Sequence, residues 1–442
     1  MTHDSQEHEN SDRESSAGPV ADPGTPGVTP ASGEIASPVK QVKRIIAIDV
    51  LRGVALCGIL VMNIRAIASI WQIYENPHAL GEVTGLDWWV WLAGYLFTDM
   101  KMMAIFSMLF GAGIALMATR MEQTDRRPAG IHYRRMIWLF VIGLGHAYLI
   151  WSGDVLVWYA ICGAVVYIAR RWRPSIEITL GVLVLLVGML LPYIPRDIPA
   201  EELERMQQVW NPSQEKINEQ FAAHRGSWLD KMPHRAEHSS EVQTFGFIFF
   251  GFWRAGGLML IGMGLLKLGF FGATRSTQSY LQLLLTGLAI GMPLVIYGLY
   301  RDIQANFAPE ATQSTNSAFN YIGSVFVALA WVALVMIIVK TGVLTLLTGA
   351  LAAVGQMAFT NYMMQSILCT FIFYGHGFGL YGTLGIMEQM YVVLAVWGAE
   401  LIWSPLWLRR YRFGPFEWLW RTLTYWRFQP MRRRSPAEKV PG

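Results

Sequence analysis

The chain has little charge. Asp, Glu, Lys and Arg make up 15% of its 442 residues, against 53% hydrophobic and 13% aromatic residues. A soluble domain carries about 25% charged residues, and a mean hydropathy of +0.33 points away from one. The composition excludes a soluble enzyme and, with a formal charge of only +4, a nucleic-acid-binding protein. Cysteine is as sparse: Cys57, Cys162 and Cys369 each sit in an apolar run. Without a disulfide ladder, a CxxC pair or zinc spacing, neither a bound metal nor a bound cofactor is expected. HExxH, GxSxG and phosphate-loop patterns are missing, and GAGIALM and GMGLL read as helix contacts because no strand precedes them. Alternating strands with turn pairs are missing too, which argues against a transmembrane barrel.

What is present is apolar sequence in long runs. Residues 1–39 stand apart: they hold no aromatic residue and much Pro, Gly and Ser. Such a segment buries too little apolar surface to offset the entropy of ordering, so a disordered tail is expected. It lacks the basic start and early apolar core of a signal peptide. A membrane span needs about 20 apolar residues. Such runs fall near 45–66, 97–119, 134–152, 154–170, 176–194, 245–266, 279–299, 318–339, 346–374 and 386–408. The expected fold is an all-α polytopic membrane bundle of about ten transmembrane helices, with the lipid bilayer as partner. It divides into a bundle over 40–194, an amphipathic loop over 195–244, a second bundle over 245–410 and a basic tail over 411–442. Trp88, Trp89, Trp91 and Tyr95 read as an interfacial belt. Lys40, Lys43 and Arg44, the segment RMEQTDRRPAGIHYRR, Arg170, Arg171, Arg173, Lys267, Arg275, Lys340 and Arg409 all fall on one side if the spans alternate. That places both termini in the cytoplasm and 195–244 outside.

A charge near the bilayer centre costs at least about 2.5 kcal/mol, so each one needs a reason. The first span carries Asp49, Arg52, Asn63 and Arg65. Asp49 and Arg52 form either a local pair at the cytoplasmic edge or part of a site; Asn63 falls within about 20° of Arg52 on the same helix face. The stretch GLGHAYLIWSGD places His146 about 9 Å below the outer surface if the helix ends near Ser152, with Asp154 reaching back from the turn or Asp99 coming from the second span as the nearby carboxylate. A neutral imidazole oriented by a carboxylate suits general base work, and the alternative is a satisfied structural donor. Asp99 and Lys101 read as a boundary pair. Arg254, inside the sixth span, calls for an anion or carboxylate partner, and Glu400 for an ion pair or a proton site. Asn361 and Gln365 share a face of the ninth span, where hydrogen bonds between helices are the simpler reading. His376 falls in a loop.

The stretch RIIAIDVLRGVALCGILVMNI resembles the start of the YeiB family of bacterial membrane proteins, through Arg44, Asp49, Arg52, Gly53 and Asn63. GLGHAYLIWSGDVLVWYAICG carries a second mark at His146, Gly153, Asp154, Tyr159 and Gly163. A third mark lies in VGQMAFTNYMMQSILCTFIFYGHGFGLYG and FGPFEWLWRTLTYWRFQPMRR, at Asn361, Tyr362, Gln365, Ser366, Gly414, Pro415, Glu417, Trp418, Trp420 and Arg421. The resemblance spans about residues 43–433. It implies a distant grouping with transmembrane acyltransferases, which take an acyl group from cytoplasmic acyl-CoA and deliver it across the membrane through an intramembrane histidine. On that reading the chain is a bacterial inner-membrane acyltransferase with acyl-CoA as co-substrate and a hydroxyl- or amine-bearing acceptor. His146 is the base, Asp154 orients it, and Asn63 binds the oxyanion. Arg52, Arg134 and Arg135 receive the CoA phosphates. A small-solute transporter using Arg254 and Glu400, or a non-enzymatic membrane partner, stays open beside it.

Overall fold

The computed structural model describes residues 46–124, 127–194, 200–309, 312 and 317–433. The tail expected at 1–39, the basic residues Lys40, Lys43 and Arg44, and the end of the basic tail at 434–442 lie outside the described residues. No β-strand forms among the described residues, apart from one isolated bridge between Tyr411 and Arg432. The helices are α1 (Ile46–Ala68), α2 (Gly85–Phe97), α3 (Lys101–Glu122), α4 (Pro128–Leu149), α5 (Leu156–Val166), α6 (Pro174–Leu190), α7 (Ala200–Trp210) and α8 (Gln214–Arg225). They continue as α9 (Met232–Glu241), α10 (Phe252–Lys267), α11 (Thr277–Gln304), α12 (Ser317–Thr341), α13 (Thr345–Gln356), α14 (Ala358–Phe373), α15 (Ile386–Arg410) and α16 (Pro415–Tyr425). Proline opens α4, α6 and α16, where its missing N–H has no helical partner to lose. Ser276 caps α11 by accepting from the Ser279 N–H at 3.1 Å.

Among the described residues, seven segments are long and apolar enough to cross a membrane: α1, Gly85–Glu122, Pro174–Tyr193, Met232–Lys267, α11, α12 and α15. The chain is a multi-pass helical membrane protein. The spans expected at 134–152, 154–170 and 346–374 coincide with α4, α5 and the pair α13–α14, which do not meet that measure. The run at 346–374 is not one helix. It breaks at Met357, whose φ of −107° and ψ of 30° leave the helical region. The second run also starts earlier than expected, with α2, and breaks at Met100, whose φ is 61°.

Burial sorts the helices. The hydropathic window of α1 is 72% buried inside the protein, whereas those of α6, α11 and α15 are 22%, 28% and 28% buried. The peripheral helices turn Val182, Leu285, Leu394 and Ile402 outward, as a lipid-facing surface requires. One core joins α1, α3, α10 and α12, and a second joins α3, α4, α5, α10 and α14. The crossing of α3 and α10 depends on two glycines. A Cβ on Gly111 would overlap the Met259 carbonyl, and one on Gly262 would overlap the Met108 carbonyl. The two small-residue motifs read from the sequence are therefore partners of each other. Most of the aromatic belt packs inside the protein. Trp88, Trp91 and Tyr95 stack in sequence at 5.4 and 5.3 Å, and Trp91 is 1% exposed. Their i, i+3, i+7 spacing lines them along one face of α2, where Phe307 meets Trp91 edge-on, while Trp89 faces outward.

Candidate functional site

The last turn of α4 and the first turn of α5 share one carboxylate. The chain leaves α4 at Ile150 and Trp151, whose N–H groups both return to the His146 carbonyl at 2.9 Å. The short turn that follows places Asp154 at the start of α5, where its Oδ2 accepts the Val157 N–H at 2.9 Å. The other oxygen, Oδ1, lies 2.8 Å from His146 Nδ1. A carboxylate can only accept here, so Nδ1 carries the proton and Nε2 is left as the acceptor. Nε2 faces Ser366 Oγ of α14 at 2.9 Å. His146 and Asp154 are 1% exposed and Ser366 is 2% exposed. The result is a linear Asp–His–Ser hydrogen-bond chain within the bundle. The Tyr362 ring lies 5.2 Å from the imidazole.

Ser366 carried a mark in the sequence but no role. It lies 220 residues from His146, and only the packing of α14 brings them together. His132 was missed as well, because the third span was started at 134. The helix begins at Pro128, and fourteen residues separate His132 from His146, an offset of about 40° that puts both on one face. His132 is fully buried, with Nε2 3.0 Å from the Gly163 carbonyl and its ring stacked on Tyr167 at 4.1 Å.

The remaining expected site residues lie apart from the relay. Asn63 is half-buried on α1 and makes no hydrogen bond to it among the described residues. Asn361 donates to the Val354 carbonyl and to Ser404 Oγ, both at 3.1 Å, which ties the break between α13 and α14 to α15. Gln365 donates to Glu400 Oε2 at 3.2 Å, so Glu400 meets an amide rather than the expected ion pair. Arg254 meets no carboxylate among the described residues. It donates to the Tyr321 carbonyl, to Ser324 Oγ at 2.6 Å and, more distantly, to the Met100 carbonyl exposed by the break between α2 and α3. Asp99 and Lys101 do not pair with each other. Asp99 pairs with Arg65, and Lys101 Nζ donates to the Tyr95 carbonyl at 2.7 Å and to Asn320 at 2.9 Å. Asp99 lies in the turn between α2 and α3, and the left-handed Met100 between it and Lys101 separates the two side chains.

At the opposite end of α1, Arg52 Nη1 lies 3.0 Å from Asp49 Oδ1. A cavity of about 270 Å³ opens there, lined by Asp49, Gln356, Arg409 and Arg433 among others. Arg134 and Arg135 lie over the rings of Trp426 and Trp420, so they clasp the C-terminal segment instead of lining that cavity. The Arg-Gly pair of the first span also has a packing reason. A Cβ on Gly53 would overlap the Leu351 carbonyl of α13, and one on Gly355 would overlap the Asp49 carbonyl.

Residues 265–427 match a family described as protein of unknown function (DUF418). The chain is 32% identical to the uncharacterized protein YxaH of Bacillus subtilis (strain 168) over 407 residues, 89% of this chain and 97% of that one. It is 29% identical to the uncharacterized protein YeiB of Escherichia coli (strain K12) over 386 residues, 86% of this chain and 96% of that one. A 39.9 kDa protein from Bacillus acidopullulyticus is 26% identical over 402 residues, 91% of this chain and 99% of that one. Similarity over nearly the whole length of these relatives, together with the multi-pass helical bundle that carries the marked residues, makes this chain a member of the YeiB-like DUF418 family.

Proposed function

We propose that the chain is an inner-membrane acyltransferase that moves an acyl group from cytoplasmic acyl-CoA to a hydroxyl- or amine-bearing acceptor on the other side. The observation that carries this reading is the relay Asp154–His146–Ser366, at 2.8 and 2.9 Å. Ser366 Oγ occupies the position from which Nε2 takes a proton, so it is the first nucleophile. Its proton passes to His146 Nε2 as Oγ bonds to the acyl carbonyl carbon. The thioester C–S bond then breaks, and the CoA sulfur leaves with the proton from the imidazolium. In the second half the acceptor O–H or N–H gives its proton to Nε2, its heteroatom takes the acyl group, and Ser366 regains its proton. Asp154 holds the tautomer and stabilises the imidazolium. The buried relay opens to substrate by movement of the helices around it. The cavity beside Asp49, with Arg409 and Arg433, is where the CoA phosphates bind on this reading.

Purified protein given acetyl-CoA and a panel of acceptors tests it. CoA release with acylated product is expected, and His146→Ala should lower it by about 10² to 10⁴. Unchanged transfer by that variant refutes the reading. Ser366→Ala separates the two routes: loss of transfer supports the acyl-serine, and retention means that His146 activates the acceptor directly.

The reading includes ten spans with cytoplasmic termini. Reporter fusions at Gln214 and after Pro430 should report opposite sides. A transporter reading draws on Glu400, whose Oε1 is buried without a partner among the described residues. Solute flux in proteoliposomes without CoA release would favour it.

A further inference from the structure

Two buried cations stand together where α4 and α14 end. Lys231 immediately precedes α9, and Arg235 lies one turn later on the same face. Lys231 is 5% exposed and Arg235 is 2% exposed. Arg235 Nη1 donates to the Leu149 carbonyl at 2.7 Å, which anchors the guanidinium to the end of α4. Its Nε and Nη2 are buried and have no partner among the described residues. Those two nitrogens form one edge of the guanidinium, a pair of parallel donors spaced to meet two oxygens of one anion. Lys231 Nζ lies 2.9 Å from the centre of the Tyr374 ring, at the end of α14.

The surroundings supply no carboxylate partner to either group among the described residues. The charged neighbour that acts on Lys231 is Arg235. Burial first, and then the charge of Lys231 and Arg235, lowers His224 and His376 from their ordinary range. Asp230, next in the chain, turns its carboxylate to the Ser227 N–H at 2.8 Å. Burial and the like charge of Arg235 push the Lys231 amine well below its ordinary range. Arg235 cannot shed its proton in the same way, so its unused edge is a buried charge that lacks a counterion. Leaving such donors unmet is costly, and a tetrahedral oxyanion meets the two-donor edge and the lysine together.

We propose that Arg235 and Lys231 form a phosphate-binding site at the ends of α4 and α14, which takes the phosphate of a lipid headgroup or of a soluble phosphorylated compound. The site is distinct from the relay and does not depend on the acyl-transfer reading. It lies one turn beyond His146 on α4 and about two turns beyond Ser366 on α14.

The test uses the full chain in a nonionic, phosphate-free detergent. One arm compares inorganic phosphate with chloride at equal ionic strength. The other compares phosphatidylglycerol with monoolein in mixed micelles. The thermal midpoint of the wild type should rise by about 3 °C or more with phosphate, with phosphatidylglycerol, or with both. A rise in one arm alone identifies the source. Lys231→Gln and Arg235→Gln should abolish the rise, and Lys231→Arg should keep it. If Arg235→Gln does not fold, the two Lys231 variants carry the test. The absence of a rise over chloride and monoolein, or an equal rise in Lys231→Gln, overturns the proposal.

Discussion

Glu417 of α16 holds Thr360 at the first turn of α14 twice. Its Oε1 accepts the Thr360 N–H at 3.0 Å, and its Oε2 accepts the Thr360 hydroxyl. Oε1 also accepts the Phe359 N–H at 2.7 Å, so an acid near the C-terminus caps the helix that carries Ser366. Glu417→Ala should lower stability by about 1–3 kcal/mol, the cost of stranding buried N–H groups. Glu417→Gln keeps an acceptor oxygen and should lose less. Thermal unfolding in detergent measures both.

Asp154 has two duties that substitution can separate. Asp154→Asn keeps an oxygen for the Val157 N–H, yet no longer fixes the imidazole tautomer. It should fold near the wild-type midpoint and lose any His146-dependent transfer by about 10² to 10⁴. Asp154→Ala should lose transfer and also about 1 kcal/mol of stability with the cap. A normal rate in Asp154→Asn would remove the carboxylate from the mechanism.

The buried pair Arg65–Asp99 is expected to matter through imbalance more than through attraction. Arg65→Met or Asp99→Leu alone leaves one charge stranded and should cost about 3–5 kcal/mol. The double variant removes both charges and should recover most of that loss. Equal losses in the single and double variants would show that packing, not charge, is at stake.

Close approach of α3 and α10 makes a sharp steric prediction. Gly111→Val and Gly262→Val put a side chain into backbone carbonyls, which cannot turn aside, and should abolish folded protein in the membrane. Gly113→Ala, with nothing within 4 Å of the new Cβ, should be tolerated. Fluorescence-detected gel filtration of tagged variants distinguishes them.

His224 supplies a pH dependence. Burial and the neighbouring cations hold its ring down at about 3, against an ordinary 6.5. Between those values the unfolded chain binds a proton that the folded chain does not. Stability therefore rises with pH across the window and falls as pH drops below 6.5. His224→Phe keeps a ring against Tyr381, which His224 stacks on at 4.0 Å, and should flatten the pH profile of the melting midpoint between pH 4 and 6.5.

The sequence carried the all-helical membrane class, because hydropathy and low charge are properties of whole segments. It offered two carboxylates for His146, Asp154 and Asp99, and the structure puts Asp154 on the imidazole and Asp99 on Arg65. Ser366 was out of reach: no local pattern encodes a contact across 220 positions. The break at Met357 was hidden because its support is tertiary, from Asn361 and Glu417, rather than from a proline. The partner of Asp99 was hidden because the break at Met100, a residue with no glycine or proline signal, turns it toward Arg65 of α1.

The relay is split along the chain, and this sets an order of events during synthesis. His146 and Asp154 are both made within the first 154 residues, whereas Ser366 arrives on α14 and its capping acid, Glu417, follows 51 residues later. A nascent chain therefore holds an imidazole whose second nitrogen has no hydroxyl to meet until synthesis is nearly complete. In a bilayer an unmet polar atom has no water to turn to. Chains that end before α14 lack the Ser366 hydroxyl and leave the His146 nitrogen unmet within the bundle, so they should be less stable in the membrane than the full chain.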